Sequence, residues 1–184
     1  MRQRVVILTR ATAKQSFVAR YGSEGQTKFA MAQSVRGQTD FAKAEVEDSS
    51  QALAVVRIRK ALPGDMKLAE IDRGMVAQFL FEPHDLVVAV GQDGLVANAG
   101  KYLDGQPIAG VNPDPETIDG ALLAFNVDTF LASLNDLLND RRPVREATLA
   151  SADDGRPGVA RAERHLRRRD DASIGALSHP VCAG

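Results

Sequence analysis

The chain is poor in cysteine and in aromatic residues. Its 184 residues include one cysteine, no tryptophan and only 5% aromatic residues. The single cysteine, Cys182, excludes a disulfide within the chain and a zinc site built on several thiolates, and it favours the reducing cytoplasm as the compartment. The three histidines are dispersed and show no metal-ligand spacing, so no metal site is predicted. The hydrophobic content of 44% still permits a substantial core, in one domain or one and a fraction.

An excess of charge of one sign and long apolar runs are also missing. The chain has 23 Lys and Arg residues against 24 Asp and Glu residues, a net charge of -1. So small a net charge gives no field that would attract nucleic acid or an anionic membrane. The first apolar run, residues 5–8, is much shorter than the core of a signal peptide, and no run approaches the length of a membrane span. We therefore expect neither nucleic-acid nor membrane partners, and no targeting segment.

Short apolar runs alternate along the chain with helix-forming stretches. Residues 5–8 and 86–90 suit buried strands, and residues 67–71 and 108–111 suit further strands. Residues 14–62 are mostly helix formers and predict two helices joined near Gly37. Residues 127–138 carry apolar side chains on one face, which predicts an amphipathic helix. This alternation predicts an α/β domain with an open parallel sheet and flanking helices.

The most informative turn is Gly91-Gln92-Asp93-Gly94. It follows the apolar run 86–90 and precedes a segment that can be helical. Because parallel α/β sheets bind ligands at the carboxyl ends of their strands, a carboxylate delivered there predicts a functional site. Asn112 closes the next strand-like run in the same way. The sequence around Asn112 also suits simple turn punctuation, so ligand contact and a turn role both stay open for this residue.

Three segments, in this order and spacing, resemble the NAD kinase family: residues 87–94, 107–112 and 120–125. In that family a Gly-Gly-Asp-Gly-Thr turn follows a buried strand, an Asn closes the next strand, and a Gly-Phe-Leu segment leads into the substrate domain. The matching positions here are Asp93, Asn112 and Gly120. Gln92 and Leu95 stand where the family has its second Gly and its Thr. The resemblance covers about residues 85–150.

The resemblance implies both an architecture and an activity. The architecture is a Rossmann-like or flavodoxin-like nucleotide-binding domain over residues 1–140, followed by the incomplete start of a β-rich substrate domain with an irregular basic tail over residues 141–184. The activity is phosphorylation of the adenosine 2'-hydroxyl of NAD to give NADP, with ATP as the donor and Mg²⁺ on its phosphates. Polyphosphate stays open as an alternative donor. Such kinases often form dimers or tetramers, so the resemblance also implies a homo-oligomer.

The resemblance also assigns roles to individual residues. Asp93 would be the general base that takes the proton from the 2'-hydroxyl, and Gly91, Gly94 and Asn112 would surround the nucleotide. The residue types suit phosphoryl transfer, because glycines let backbone N–H groups approach phosphates and a helix N-terminus favours anions.

The basic segment at residues 161–169 suggests a shifted reading frame. One set of codons for these residues, read one base out of frame, encodes Ala-Leu-Asn-Asp-Ile-Tyr-Val-Gly. That peptide resembles the second motif of the family, an Asn with an acidic neighbour before a strand, at the place where the family has it. We therefore expect a frameshift between about residues 155 and 161, which would replace the native Asn-acid pair that holds NAD.

Two other functions remain compatible with the sequence. Gln92 and Leu95, together with the missing downstream motifs, favour a non-catalytic nucleotide-binding or interaction module. A receiver-like regulatory domain would use Asp93 as a phosphoacceptor, but it also needs an acidic pair early in the chain. The first strand-like run ends in Thr9-Arg10 instead, so this third function is disfavoured.

Overall fold

The computed structural model describes residues 1–149 and 164–169. The strands in these residues are β1 Arg4–Thr9, β2 Lys67–Asp72, β3 Asp85–Val90, β4 Ile108–Asn112, β5 Phe125–Asn126, β6 Val144–Leu149 and β7 Arg164–Arg169. The helices are α1 Ala13–Tyr21, α2 Glu24–Ala32, α3 Val35–Ala61, α4 Asp93–Gly100 and α5 Val127–Leu138, and a 3₁₀ helix covers Arg73–Gln78.

Five parallel strands form the body of the sheet, in the order β2-β1-β3-β4 with β5 beside the carboxyl end of β4. β6 and β7 are antiparallel to each other, and β7 meets β4 through one residue pair, Ile108 with Arg168. The predicted α/β class, with a parallel sheet and flanking helices, is therefore confirmed.

The core lies on both faces of the sheet, because successive side chains of a strand point to opposite faces. In β1, Val5 and Ile7 join a cluster with residues of α3 and α5, whereas Val6 and Leu8 join a second cluster with residues of α4 and the 3₁₀ helix. All four side chains are fully buried. Strands buried on both faces read as continuous apolar runs, which is why residues 5–8 and 86–90 lack alternation.

The N-terminal helices differ from the prediction. Three helices occupy this region instead of two, and each begins at a hydroxyl residue that caps it: Thr12, Ser23 and Ser34. Gly37 is not a junction, because it lies in the first turn of α3 and its N–H donates to the Ser34 hydroxyl at 3.0 Å. The junction predicted near Gly37 lies a few residues earlier, at Ser34, and the prediction of two helices was wrong because a further break separates Tyr21 from Glu24.

Several expectations concern the end of the chain. The proposed frameshift interval, residues 155–161, lies outside the described residues. Residues 144–149, in the segment predicted to start a second domain, form β6, and residues 164–169, in the basic tail predicted to be irregular, form β7. The start of a second domain at residue 141 stays a prediction. In the part of the chain that the structure describes, no helix combines the length and the apolar character needed to cross a membrane.

Candidate functional site

The strand order places a crevice between β1 and β3. In the strand order, β2 lies beside β1 toward one edge of the sheet, and β4 lies beside β3 toward the other edge. The chain therefore runs in opposite directions after β1 and after β3. The helices that follow also pack on opposite faces, since α3 joins one core cluster and α4 the other. Open α/β sheets bind ligands at such a switch point, outside the carboxyl ends of the strands. The site is therefore expected where β1 leads into α1 and β3 leads into α4.

The glycine turn lies at this position. Gly91 follows β3 with a φ of 150°, a conformation that side chains rarely permit, and its N–H donates to the carbonyl of Val111 at 3.1 Å. Gln92 is the N-cap of α4, and its side chain makes no capping hydrogen bond. Gly94 is exposed, and no atom lies within 4 Å of the position that its Cβ would occupy. The turn thus presents open backbone at the N-terminus of α4.

Asp93 is the first residue of α4 and is half-buried. Its Oδ1 accepts a hydrogen bond from the backbone N–H of Leu122 at 2.8 Å. Gly120 allows this approach, because a Cβ at that position would lie 2.5 Å from Asp93 Oδ1. Two of the segments that carry the family resemblance, the glycine turn and residues 120–125, therefore meet at the Asp93 carboxylate.

Asn112 ends β4 and is 9% exposed. Its Nδ2 donates to the carbonyl of Ile118 at 2.7 Å, and its Oδ1 accepts from the N–H of Asp114 at 2.9 Å. Both ends of the amide therefore hold the backbone of the loop that follows β4. Of the two roles that the sequence left open for Asn112, these bonds show the role in the turn. Contact of Asn112 with a ligand stays a prediction.

A cleft of about 720 Å³ opens beside the turn, between the N-terminal helices and the loops that follow β3 and β4. Its walls combine residues of α1 and α3 with Gln92 and the loop after Asn112. The lining residues are Ala13, Phe17, Asp40, Ala42, Lys43, Ala44, Val46, Glu47, Gln92, Asp114, Thr117 and Ile118. This volume falls within the range of small-molecule sites. Asp93 and Asn112 are not lining residues, but each is bonded to a loop next to the cleft.

The charges of the cleft are mainly acidic. Asp40, Glu47 and Asp114 are carboxylates, and Lys43 is the one lining amine. Glu47 lies 3.8 Å from an Arg10 nitrogen, and Asp40 lies 3.8 Å from an Arg36 nitrogen. Both arginines stand outside the lining. The cleft itself therefore offers a phosphate group little positive charge.

Sequence reasoning did not find the helical half of the site. Phe17, Lys43 and Glu47 stand about 45 to 75 positions before Gln92 and carry no motif, so nothing in the sequence joins them to the glycine turn. What brings them together is the packing of α1 and α3 at the carboxyl end of β1, which depends on the tertiary structure.

The carboxylates near the glycine turn suit a metal ion that is bound to a nucleotide's phosphates better than a metal ion held by the protein alone. Among residues 1–149 and 164–169, no group of three or more His, Cys, Asp or Glu side chains could hold a metal ion. Mg²⁺ bound to a nucleotide needs only one or two protein carboxylates, because phosphates and waters supply its other ligands. Asp93 and Asp114 provide carboxylates at this edge of the sheet.

In comparisons with known proteins, the chain matches no protein-family model and no curated protein. The relationship to NAD kinases therefore stays a prediction that rests on the motifs.

Proposed function

We propose that the chain is the nucleotide-binding part of an NAD kinase-like phosphotransferase, which phosphorylates the adenosine 2'-hydroxyl of NAD with ATP as the donor. One observation carries the proposal: Asp93 begins α4 at the switch point of the parallel sheet, beside a cleft of about 720 Å³. A carboxylate at this place, next to a volume of ligand size, supports a site for chemistry on a small molecule.

In the proposed chemistry, Asp93 accepts the proton and the backbone of the glycine turn binds the phosphates. Asp93 takes the proton of the NAD 2'-hydroxyl while the hydroxyl oxygen attacks the γ-phosphorus of ATP. The bond from that phosphorus to the β,γ-bridging oxygen breaks, and ADP is released. The N-terminus of α4 favours the anionic phosphates, and the open surroundings of Gly94 let them reach the backbone. Bound Mg²⁺ would neutralise phosphate oxygens.

The loop after β4 has a positioning role in this proposal. Asn112 fixes residues 114 and 118, and Asp93 Oδ1 fixes residue 122. Phosphoryl transfer depends chiefly on positioning and on charge stabilisation, so a loop held at both of its ends suits the reaction.

A second candidate is a module that binds a nucleotide without turnover. It is favoured by the hydrogen bond from Leu122 to Asp93, because that bond gives the carboxylate a structural role in holding the loop, without any substrate. Gln92 and Leu95, at positions that are Gly and Thr in the family, favour the same candidate.

The substitution Asp93→Asn tests the proposal. Asparagine keeps an Oδ1 that can accept from Leu122, so the loop stays in place while the base is lost. We expect NADP formation from NAD and MgATP by the full chain to fall by about 100- to 10,000-fold, the usual contribution of a general base. Asp104→Asn, an exchange at an exposed turn, is the matched control and should keep full activity.

The same assay separates the two candidates. Measurable and equal NADP formation by the wild type and Asp93→Asn would overturn the role of Asp93. Calorimetric binding of NAD or ATP by a wild type that forms no NADP, with ATP or with polyphosphate as the donor, would favour the non-catalytic module.

A further inference from the structure

We infer that the cleft between α1, α3 and the loops after β3 and β4 is a nucleoside subsite, which takes an adenine ring and its ribose and leaves the phosphates outside. The inference rests on the proposed nucleotide-binding function, and it assigns a ligand part to residues that carry no family motif. Phe17, Gln92, Asp114 and the single lysine of the lining carry the argument.

Phe17 supplies an apolar surface for a ring. It lies in α1, lines the cleft and is half-buried. Among the described residues it belongs to neither of the two core clusters, so its ring is not used up in the packing of the sheet. Aromatic side chains with one accessible face bind nucleic-acid bases by stacking. Ala13, Ala44, Val46 and Ile118 add further apolar lining.

Gln92 supplies a polar group that can read the edge of the ring. It caps α4 through its backbone, its carboxamide makes no capping hydrogen bond, and it lines the cleft. A carboxamide offers a donor and an acceptor side by side, which matches the N7 acceptor and N6 donor of adenine. Gln92 stands where the family has a glycine. At this position its side chain would discriminate among bases, which a glycine cannot do.

The charged groups of the lining suit the sugar better than phosphates. Ribose hydroxyls donate hydrogen bonds, and carboxylates accept them, as acidic residues do for the ribose of bound dinucleotides. Asp114 lies at the loop end of the cleft, where its Oδ2 accepts from the Thr117 hydroxyl. The lining offers three carboxylates and one lysine, so it gives a di- or triphosphate few positive groups to bind. The phosphates would lie instead toward the turn at Gly94.

Adenosine is the probe for the test, because it contains the ring and the ribose without phosphate. Titration into the isotopically labelled full chain, followed by NMR, should shift the signals of Gln92 and Phe17. Inosine lacks the N6 donor and should bind about tenfold or more weakly. Phe17→Ala should weaken adenosine binding by about tenfold. Phe29→Ala is the matched control, because Phe29 lies on α2, is 72% exposed and does not line the cleft.

The outcomes distinguish this inference from the proposed function. The subsite is overturned, even if the chain forms NADP, by any of three results. Adenosine causes no shifts, its shifts lie away from Gln92 and Phe17, or its shifts persist unchanged in Phe17→Ala. Cleft shifts that are lost in Phe17→Ala, in a chain that forms no NADP, support the subsite and count against the kinase. NAD and ATP titrations then assign the subsite to whichever nucleotide shifts the same signals and loses those shifts in Phe17→Ala.

Discussion

The Asp93 carboxylate and the Leu122 backbone hold the start of α4 to the loop that follows β4, through a hydrogen bond of 2.8 Å. Two glycines make the contact sterically accessible. A Cβ on Gly110 would lie 2.4 Å from the Leu122 carbonyl oxygen, and a Cβ on Gly120 would lie 2.5 Å from Asp93 Oδ1. The loop therefore packs directly on β4 and on the glycine turn, and its position is coupled to that of the proposed base.

The first prediction concerns this close approach. In Gly120→Ala the new methyl group overlaps the Asp93 carboxylate, so the bond to Leu122 must lengthen or break. We expect a loss of about 1–3 kcal/mol in the free energy of unfolding, measured by urea denaturation, because overpacking at a tight contact costs that much. We also expect faster hydrogen exchange at the Leu122 amide.

Gly25→Ala is the matched control for Gly120→Ala. Gly25 lies in α2, and a Cβ there meets no atom within 4 Å. Alanine should stabilise the helix by about 0.5–1 kcal/mol, because it loses less backbone entropy on folding than glycine does. Equal effects of the two substitutions would contradict the steric account of Gly120.

The second prediction concerns Asn112. In Asn112→Asp the Oδ1 acceptor for the Asp114 N–H remains, but the donor to the Ile118 carbonyl is replaced by a carboxylate oxygen that repels it. We expect a loss of about 1–3 kcal/mol in the free energy of unfolding, the usual cost of an unsatisfied buried polar group. Hydrogen exchange should accelerate at residues 117–118 more than in α5. Unchanged exchange in this loop would show that Asn112 does not hold it.

Much of the sheet could be predicted from the sequence because local patterns decide it. The apolar run 86–90 is buried on both faces as β3, and the predicted helix over residues 127–138 is confirmed as α5. The position of Asp93 just after a parallel strand also follows from the sequence, because the glycine turn comes immediately after an apolar run of strand length. These features need no information from distant parts of the chain.

The N-terminal helices and the cleft could not be predicted in the same way. The helix starts have local signals, because Thr12, Ser23 and Ser34 are preferred capping residues, but the glycines nearby are competing local signals for helix ends. The cleft had no such signal. Phe17 reaches the neighbourhood of Gln92 only through the packing of α1 on α3. The apolar pattern of α1 alone does not show which side faces the cleft.

The third prediction tests how α1 is held. The Thr12 side chain is almost fully buried; its hydroxyl donates to Asp48 Oδ1 at 2.6 Å and accepts from the Gln15 N–H at 3.3 Å. Thr12→Ala removes the cap and the link to α3, and we expect it to cost about 1 kcal/mol in the free energy of unfolding. Adenosine binding should weaken as well, because Phe17 lies on the same helix. Thr12→Ser keeps the hydroxyl and should retain both properties; equal losses in Ser and Ala variants would contradict this role of the hydroxyl.

The last prediction compares two arginine–carboxylate pairs that share a geometry and differ in burial. Asp85 is fully buried and accepts two hydrogen bonds from Arg4, at 2.9 and 2.7 Å, which raise the pKa of the guanidinium. Glu70 accepts two from Arg59, both at 2.7 Å, at the surface. Asp85→Asn removes the buried one of the two carboxylates that pair with Arg4 and leaves only the half-exposed Glu82, 3.1 Å from the guanidinium, so it should lower the free energy of unfolding by about 2–3 kcal/mol. Glu70→Gln should cost less than about 1 kcal/mol, because solvent screens an exposed pair. Urea denaturation of both variants checks the comparison, and similar losses would mean that burial does not set the strength of these pairs.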